Sequence, residues 1–571
     1  MKLNNIINSN RNLLCAAVAF CLLAACTKQL DQLPQTSITD GNFWNTPTDL
    51  SLASNYLYNY LPGLGGSDPT GNPAPYQDNY SEDGYGGAAN SISDGSRIAP
   101  TTSGEWTGYY KLIRAANNIF QHVATVQGDT GLIQKYLGEA HFFRALAYFE
   151  LVKRFGDVPL ITRTLSMTDT LLYAHRTDRQ QVLDTVYADL DFASIHCPQP
   201  DKQLPAEYGR ITSTAALAFK SRVGLFEGTW DEFHGGGNSP KHLQIAIDAS
   251  NAVIAGNKHA LYAGSGDSSY YYEFNYQNAA SFTNYSYATN KENILVRLYG
   301  QNLTNTISSH TYDRAGLTDG GVSATKTFVD AYLFKDGFPA GTSPYDSTNN
   351  QANSLTIFSN RDPRLGMSIF NRTEYSMSIA GVIPYKPAQV YNVRKYFTPL
   401  DWTPSRSFVN FNIIRYAEVL LNNIEAKFEL NGSVADADLN TTINLIRNRA
   451  TANNPSLLPL LTNSFVASNG LDMRTEIRRE RRIELAFEGF HYWDILRWKT
   501  AETALPAAML GQKYFSAEMN PASGVQFTPG GFAILEDVSK RAFNPQRDYL
   551  WPIPTQEIAL SAVNLTQNPN W

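Results

Sequence analysis

The stretch YLGEAHFFRALAYFELVKRF, residues 136–155, carries the clearest helical pattern in the chain. Small and aromatic residues recur in it at intervals of three and four, as they do along one face of a helix. These positions are Ala140, Phe143, Ala147 and Leu151. Gly156 and then Pro159 follow, and both residue types end helices. The spacing therefore predicts a long helix that packs along one stripe and ends near Phe155.

Similar patterns occur as neighbouring pairs with short connections. The three pairs are 109–126 with 136–155, 182–195 with 212–228, and 413–430 with 436–450. GDTG at 128–131 would join the two helices of the first pair. In the second pair, Thr212 or Ser213 could cap the start of the second helix. In the third pair, Asn431-Gly432 would end the first helix. Packed pairs that mix alanine with large aromatic residues predict a mostly helical, tetratricopeptide-like scaffold, although insertions break any regular repeat length.

The N-terminus reads as an export signal. Lys2 and Arg11 precede the apolar run LLCAAVAFCLLAA, which is followed by Cys26 and then by polar sequence. The run is shorter than the roughly 20 residues that a membrane-spanning helix needs, so residues 1–25 are predicted to be a signal peptide. Leu23-Ala24-Ala25-Cys26 resembles a bacterial lipobox, in which the cysteine is acylated and becomes the mature N-terminus. Residues 26–571 show no clear linker and are predicted to form one unit.

The composition is that of a folded, exported chain. Hydrophobic residues make up 43% and charged residues only 17%, with 32 Tyr and 29 Phe, enough for a large core. Cys15 and Cys21 leave with the signal peptide and Cys26 carries lipid, so Cys197 has no partner and no disulfide framework is expected. The formal net charge is −6 and no basic region is concentrated, which argues against nucleic acid as a partner.

Catalytic and metal-binding motifs are missing from the sequence. It has no HExxH, no CxxC, no GxSxG and no Walker motif, so no catalytic residue, metal or cofactor is predicted. Glu82 and Asp83 could in principle act as a glycosidase pair, but neighbours in sequence say nothing about the separation of about 5–10 Å that this chemistry needs. RTEIRRERRIELAFEGF at 474–490 alternates charges at helical spacing, which favours internal pairing over an anionic ligand.

Three long polar stretches interrupt the helical patterns, at roughly 62–105, 257–325 and 340–410. Loops of this length are usually functional or disordered, and disordered segments seldom contain so many tyrosines. An aromatic ring can stack on the C–H face of a sugar, while Asn, Asp and Arg hydrogen-bond its hydroxyls. The loops therefore favour a carbohydrate-binding surface. The alternative for each tyrosine is that it packs back on the scaffold.

Several motifs in order resemble the RagB/SusD family of nutrient-binding outer-membrane lipoproteins of Bacteroidetes. They are GEAHFFRALAYFELVKRFGDVPL (138–160), SNRDPRL (359–365), IIRYAEVLLNNIEAKFELNG (413–432), NTTINLIRNRA (440–450), IRRERRIELAFEGFHYWDILRWK (477–499) and YLWPIPTQEIALSAVNLTQNPNW (549–571). GNFWNTPTDLSLASNYLYNYL (41–61) also looks like the first helix of that family. The resemblance covers the chain from the lipobox to Trp571.

The resemblance implies a fold and a role. The fold would be four tetratricopeptide-like helix pairs with long irregular loops and small β-hairpins. The protein would be lipid-anchored in the outer membrane, facing the cell surface, and would capture a glycan for a SusC-like TonB-dependent transporter, acting as its lid. Capture of peptides by the same architecture stays an alternative, and a surface glycosidase a remote one.

The family motifs concern the scaffold, so four residues within them are expected to pack in the core or to form ion pairs and hydrogen bonds there. These are Phe143, Arg144, Trp493 and Trp551, and Trp230 is likewise taken as structural. Ligand contacts would lie in the variable loops and cannot be carried over by motif. Loop position and side-chain chemistry alone nominate the glycan-binding candidates, which are Asp83, Tyr85, Asn90, Tyr312 and Arg314.

Overall fold

The computed structural model describes residues 43–65, 74–275, 286–300, 309–313, 321–348, 350–371, 373, 389–398, 407–518, 523–562 and 564–571. The predicted signal peptide, Cys26 and Arg314 lie outside the described residues. No helix among the described residues has both the length and the apolar character needed to cross a membrane.

Helices make up most of the regular structure in the first half of the described chain. Their bounds are α1 Pro47–Leu57, α2 Gly104–His122, α3 Thr130–Phe155, α4 Arg179–His196, α5 Ser213–His234, α6 Ser239–Ala255 and α7 Ser269–Glu273. The second half adds α8 Lys326–Ala331, α9 Arg364–Ser368, α10 Tyr416–Asn431, α11 Asp436–Asn440, α12 Ile443–Thr451, α13 Asn463–Ser468, α14 Met473–Glu484, α15 His491–Arg497, α16 Ala501–Ala504 and α17 Thr555–Leu560.

The first predicted pair is confirmed as α2 and α3, which pack against each other. Helix α3 begins after Asp129, whose side chain accepts a hydrogen bond from the Leu132 amide at 2.9 Å. It ends at Phe155, as predicted, because Gly156 adopts a positive φ of 71°.

The second predicted pair corresponds to α4 and α5, and Thr212 caps α5 by accepting a hydrogen bond from the Ala215 amide at 3.2 Å. Helix α6, which the sequence patterns did not pair, packs along α5, and α10 packs on α6 in turn. The result is a mostly helical, tetratricopeptide-like fold, as predicted.

The third predicted pair was wrong in detail. Residues 413–415, read as the start of a helix, belong to strand β5 Phe411–Arg415, which pairs antiparallel with β2 Asn293–Arg297, and α10 begins only at Tyr416. All five residues of β5 are buried, and its short apolar core, Ile413 and Ile414, fits a strand as well as a helix. The predicted helix 436–450 breaks into α11 and α12, because Thr442 takes a non-helical ψ of −95°.

The remaining strands are short and form two further antiparallel sheets. One has the order β1-β3-β4, from Gly84–Tyr85, Ser323–Ala324 and Tyr391–Asn392, and the other has the order β6-β8-β7, from Met509–Lys513, Phe532–Glu536 and Gln526–Phe527. One hydrophobic cluster runs through the described residues from Trp44 to Leu565. The loops that follow α1 are therefore anchored on the same core as the C-terminal segment.

Candidate ligand-binding groove

A polar groove of about 340 Å³ lies beside the N-terminus of α2. Its lining combines hydroxyl, guanidinium and carboxylate groups with a few apolar ones. The lining residues are Ser91, Ser96, Arg97, Ile98, Pro100, Thr102, Ser103, Gly104 and Glu105. All of them belong to the first of the three long polar stretches in the sequence. We call this feature the 91–105 groove.

The C-terminal segment, residues 541–571, holds one side of this groove in place. Arg541 donates hydrogen bonds to the carbonyl and hydroxyl oxygens of Ser93 at 3.2 and 3.0 Å, and Arg547 donates to the carbonyl of Gly95 at 2.9 Å. The Ala542 amide donates to the carbonyl of Asp94 at 2.9 Å. Three main-chain carbonyls of the loop are thus fixed by one partner segment.

The other side of the groove is held by the start of α17. The amides of Thr555 and Gln556 donate to the carbonyls of Pro100 and Thr101 at 3.0 and 3.1 Å. Because both sides of the loop are fixed before any ligand arrives, little conformational entropy would be lost on binding.

Arg97 and Glu105 supply the charged groups of the groove. The Arg97 guanidinium stacks 3.8 Å from the ring centroid of Trp551. Burial lowers the pKa of Arg97, but an arginine remains charged at neutral pH. No described residue accepts a hydrogen bond from its guanidinium, which has five N–H donors. Glu105 is buried, and one of its carboxylate oxygens accepts a hydrogen bond from the Ser103 hydroxyl at 2.7 Å.

Two of the nominated residues lie next to this groove in sequence. Asn90 is partly exposed, and its side-chain oxygen accepts a hydrogen bond from the Ile92 amide at 2.9 Å, which shapes the entry to the loop. Tyr85 is partly exposed in strand β1, where burial and then the carboxylate of Glu536 raise the pKa of its phenol. Their role as ligand contacts stays a prediction.

The nominated Asp83 and Tyr312 are placed differently, since both side chains are buried. Asp83 accepts a hydrogen bond from the Nε of Arg482 at 2.9 Å, and the Tyr312 ring meets that of Tyr76 edge-on, with 5.6 Å between centroids. Tyr312 therefore packs on the scaffold, which is the alternative given for loop tyrosines, and Asp83 forms an ion pair with Arg482. Arg314 lies outside the described residues, so the three nominations remain untested as ligand contacts.

Among the described residues, the side chains of Glu82, Asp83 and His491 lie close enough together to be considered as ligands of one metal ion. The Arg482 guanidinium already pairs with both carboxylates, and His491 Nε2 lies 2.8 Å from Glu82. Burial opposes the charged imidazole, but Asp83 and Glu82 raise the pKa of His491. The two acids therefore already have Arg482 as a cationic partner and His491 as a hydrogen-bond partner, and a metal ion there would have to displace Arg482.

The comparisons with known proteins agree with the arrangement of the helices. A family model described as the SusD family matches residues 281–571, more than half of the chain. The chain belongs to the SusD family. A second model, described as "Starch-binding associating with outer membrane", matches residues 55–225, which include the 91–105 groove of this SusD-family protein.

The sequence and structure of this SusD-family chain are similar to those of several SusD-like proteins over most of its length. SusD-like protein P2 of Formosa agariphila is 24% identical over 481 residues, which cover 82% of this chain and 80% of the relative. The crystal structure of a SusD-like carbohydrate binding protein from Bacteroides fragilis has a TM-score of 0.72 at 24% identity and covers 91% of this chain and 99% of that one. A structure named as a laminarin binding SusD-like protein has a TM-score of 0.59 at 22% identity, covering 92% and 100%.

The scaffold residues of the SusD-family motifs are buried. Arg144 forms a two-pronged ion pair with Asp189 at 2.7 and 2.8 Å, and Trp551 donates to the Tyr492 hydroxyl at 3.2 Å. Phe143 and Trp493 lie in the core. These residues pack and pair, as the resemblance implies.

The sequence indicated that the loop at 62–105 is functional, but it did not indicate which residues of that loop line the groove. Arg97 and Glu105 stand in GSRIAPTTSGEW, a string already included in the polar stretch. The available signal was Ser103, a helix-capping residue directly before a helical pattern, which marks where the loop ends. Which loop side chains face outward depends on contacts with residues 541–556, far away in the sequence.

Proposed function

We propose that this SusD-family chain is a lipid-anchored outer-membrane protein that faces the cell surface, binds a glycan in the 91–105 groove and passes it to a SusC-like TonB-dependent transporter, over which it acts as a lid. The groove is the observation that carries the binding part of the proposal. The match to a family described as starch-binding and associated with the outer membrane supports both the ligand class and the place.

The chemistry of the groove suits a polyhydroxyl ligand. Arg97 offers hydrogen-bond donors, and the hydroxyls of Ser91, Ser96 and Thr102 can both donate and accept. A sugar presents hydroxyls that both donate and accept, so a mixed lining of this kind satisfies them in more than one orientation.

The proposed anchor is Cys26, exposed by removal of residues 1–25, with residues 26–571 forming one unit. Cys26 precedes Phe43, the first described residue, by seventeen positions. A chain of that length spans at most about 60 Å, which allows a lid to move while it stays attached.

Binding without catalysis is favoured over glycosidase activity by the state of the two carboxylates that the sequence offers as an acid–base pair. Glu82 and Asp83, the pair considered for acid and base roles, are buried and pair with Arg482. Arg482 and His491 lower the pKa of Glu82 to about 2 against the effect of its burial, so this carboxyl is a poor proton donor at neutral pH.

The test is isothermal titration of the mature protein, without its lipid, against a panel of polysaccharides and a mixture of oligopeptides. We expect one glycan class to bind, and Thr102→Trp to weaken it about tenfold or more, because the indole would fill part of the groove. Ser433→Trp places the same bulk on an exposed residue after α10 and should leave binding unchanged.

Three results would overturn the proposal. Peptides could bind while no glycan does, Thr102→Trp could bind the glycan as tightly as wild type, or hydrolysis products could appear in the same mixtures. The transporter part is checked separately, by co-purification of a TonB-dependent transporter with the full lipidated chain from outer membranes.

A further inference from the structure

A second groove of about 340 Å³ lies on the other side of the α2 N-terminus, between α2, residues 159–174 and the C-terminal segment. Its walls are largely aliphatic and include Ile161, Leu165, Leu172 and Leu565. We call it the leucine groove. The hydrogen bond from Asn564 Nδ2 to the Tyr173 carbonyl, at 2.8 Å, holds two of its sides together.

Two adjacent leucines in the wall of the leucine groove are exposed to solvent, Leu171 at 37% and Leu172 at 46%. Three further exposed apolar residues, Met167, Tyr173 and Leu560, lie within three positions of lining residues in sequence. Single exposed apolar residues are ordinary, but adjacent exposed leucines in the wall of a groove indicate an interaction surface. The described protein contributes nothing that covers these side chains.

Two cations line the same groove, together with one acid, Glu557, which accepts a hydrogen bond from the Trp106 side chain. Lys111 and Arg114 line it from the exposed face of α2, three positions apart and hence neighbours on the helix. Among the described residues, neither side chain forms an ion pair or a hydrogen bond. In a chain of net charge −6, free cations at an apolar surface complement a partner that brings carboxylates.

We propose that the leucine groove docks a segment of a partner protein, which places aliphatic side chains between the walls and carboxylates beside Lys111 and Arg114. This interaction goes beyond glycan capture and does not depend on it. A glycan fits the surface less well, because the walls are largely aliphatic and Trp106, the largest ring in the lining, is only 4% exposed. A lipid surface is less favoured, since such sites usually have clusters of about four to eight cations.

The test is panning of a phage-displayed library of short random peptides on the intact mature protein. We expect enrichment of sequences that place Leu, Ile or Phe next to Asp or Glu. In fluorescence anisotropy, the selected peptides should bind the Lys111→Glu/Arg114→Glu variant about tenfold more weakly or worse, and Leu172→Asp should have a similar effect.

The matched control variant is Lys202→Glu/Leu204→Asp, which changes one exposed cation and one exposed leucine outside the groove and should bind the peptides like wild type. Circular dichroism checks that all variants are folded. Glycan titration should be the same for all of them, so a failure here is distinct from a failure of glycan binding.

Several results would overturn the proposal. The selection could give no consensus or one without acids, or the peptides could bind the charge-reversed variant as tightly as wild type. Binding of phosphatidylglycerol vesicles that Leu172→Asp abolishes would show a lipid surface as the occupant. A dimer in analytical ultracentrifugation that the same change dissociates would show a second copy of this chain.

Discussion

Gly95, in the loop that forms the 91–105 groove, lies close to the segment that holds that loop. Its φ is 78°, in the region that favours glycine. A Cβ atom built there would lie 2.1 Å from the carbonyl oxygen of Ala542, a main-chain atom that cannot move alone. Any side chain at this position would therefore push the loop away from residues 541–547.

We expect Gly95→Ala to lower the free energy of unfolding by about 1–3 kcal/mol, from the left-handed backbone and the clash together. Urea denaturation measures it, and titration should show weaker glycan binding because the loop must shift. Gly237→Ala is the control, since a Cβ at Gly237 meets nothing within 4 Å. Equal stability of the two variants would contradict the close packing at Gly95.

At the scale of elements, helix α14 shows how a charged sequence is used inside the fold. The mixed charges of 474–490 were predicted to pair within one helix, which is wrong for most of them, because they pair with other elements. Arg479 with Glu476 is a pair within the helix, whereas Glu484 contacts Arg364, Arg415 and Arg449 on α9, β5 and α12. Helix α14 is therefore a buried electrostatic centre rather than a solvated surface helix.

We expect Glu484→Gln to destabilise the protein by about 3–5 kcal/mol at neutral pH, because three buried arginines lose a shared carboxylate. Burial opposes ionisation, but Arg449, Arg415 and Arg364 lower the pKa of Glu484 to about 2. A lowered pKa in the folded state adds stability above the usual glutamate value of about 4.3, and this stability is lost as the pH falls towards 2.

The pH dependence separates this electrostatic effect from simple loss of packing. Between about pH 4.5 and 2 the wild type should lose more stability than Glu484→Gln, measured by urea denaturation at each pH. Glu232→Gln, at an exposed position of α5, should follow the wild type throughout. Parallel pH curves for the wild type and Glu484→Gln would contradict the assignment.

The helices were predictable where a stripe of apolar residues met a clear stop signal, as in α3 with Gly156. They were not predictable where burial is complete on both faces. Ile413 and Ile414 suit either a strand or a helix, and only pairing with β2 decides between them. The candidate site shows the same limit, because Tyr85 and Tyr312 look alike in sequence, and contacts far along the chain bury one of them.

At the scale of the whole molecule, the C-terminal segment closes the fold across the first helix pair. The Trp551 amide donates to the carbonyl of Arg154 at 2.7 Å, and the Asn568 side chain donates to that of Phe155 at 3.0 Å. The Trp551 ring also lies against Arg97 and against Trp493 on α15. One side chain thus joins the groove, the first helix pair and the C-terminal helices.

We expect Trp551→Ala to destabilise the protein by about 3–5 kcal/mol, as for other buried aromatic residues, and to weaken glycan binding well below the unfolding temperature. Binding should weaken because Arg97 would lose the ring that orients it. Differential scanning calorimetry and isothermal titration measure the two effects.

Leu445→Ala is the control, because Leu445 is an exposed residue of α12 and lies outside the C-terminal segment. It should change stability much less and leave glycan binding intact.

If residues 26–571 are one unit, Trp551→Ala should also lower the temperature of a single unfolding transition, since the three regions that meet at Trp551 would unfold together. Two separate transitions, with only one shifted, would instead show that the helix pairs and the C-terminal half unfold independently.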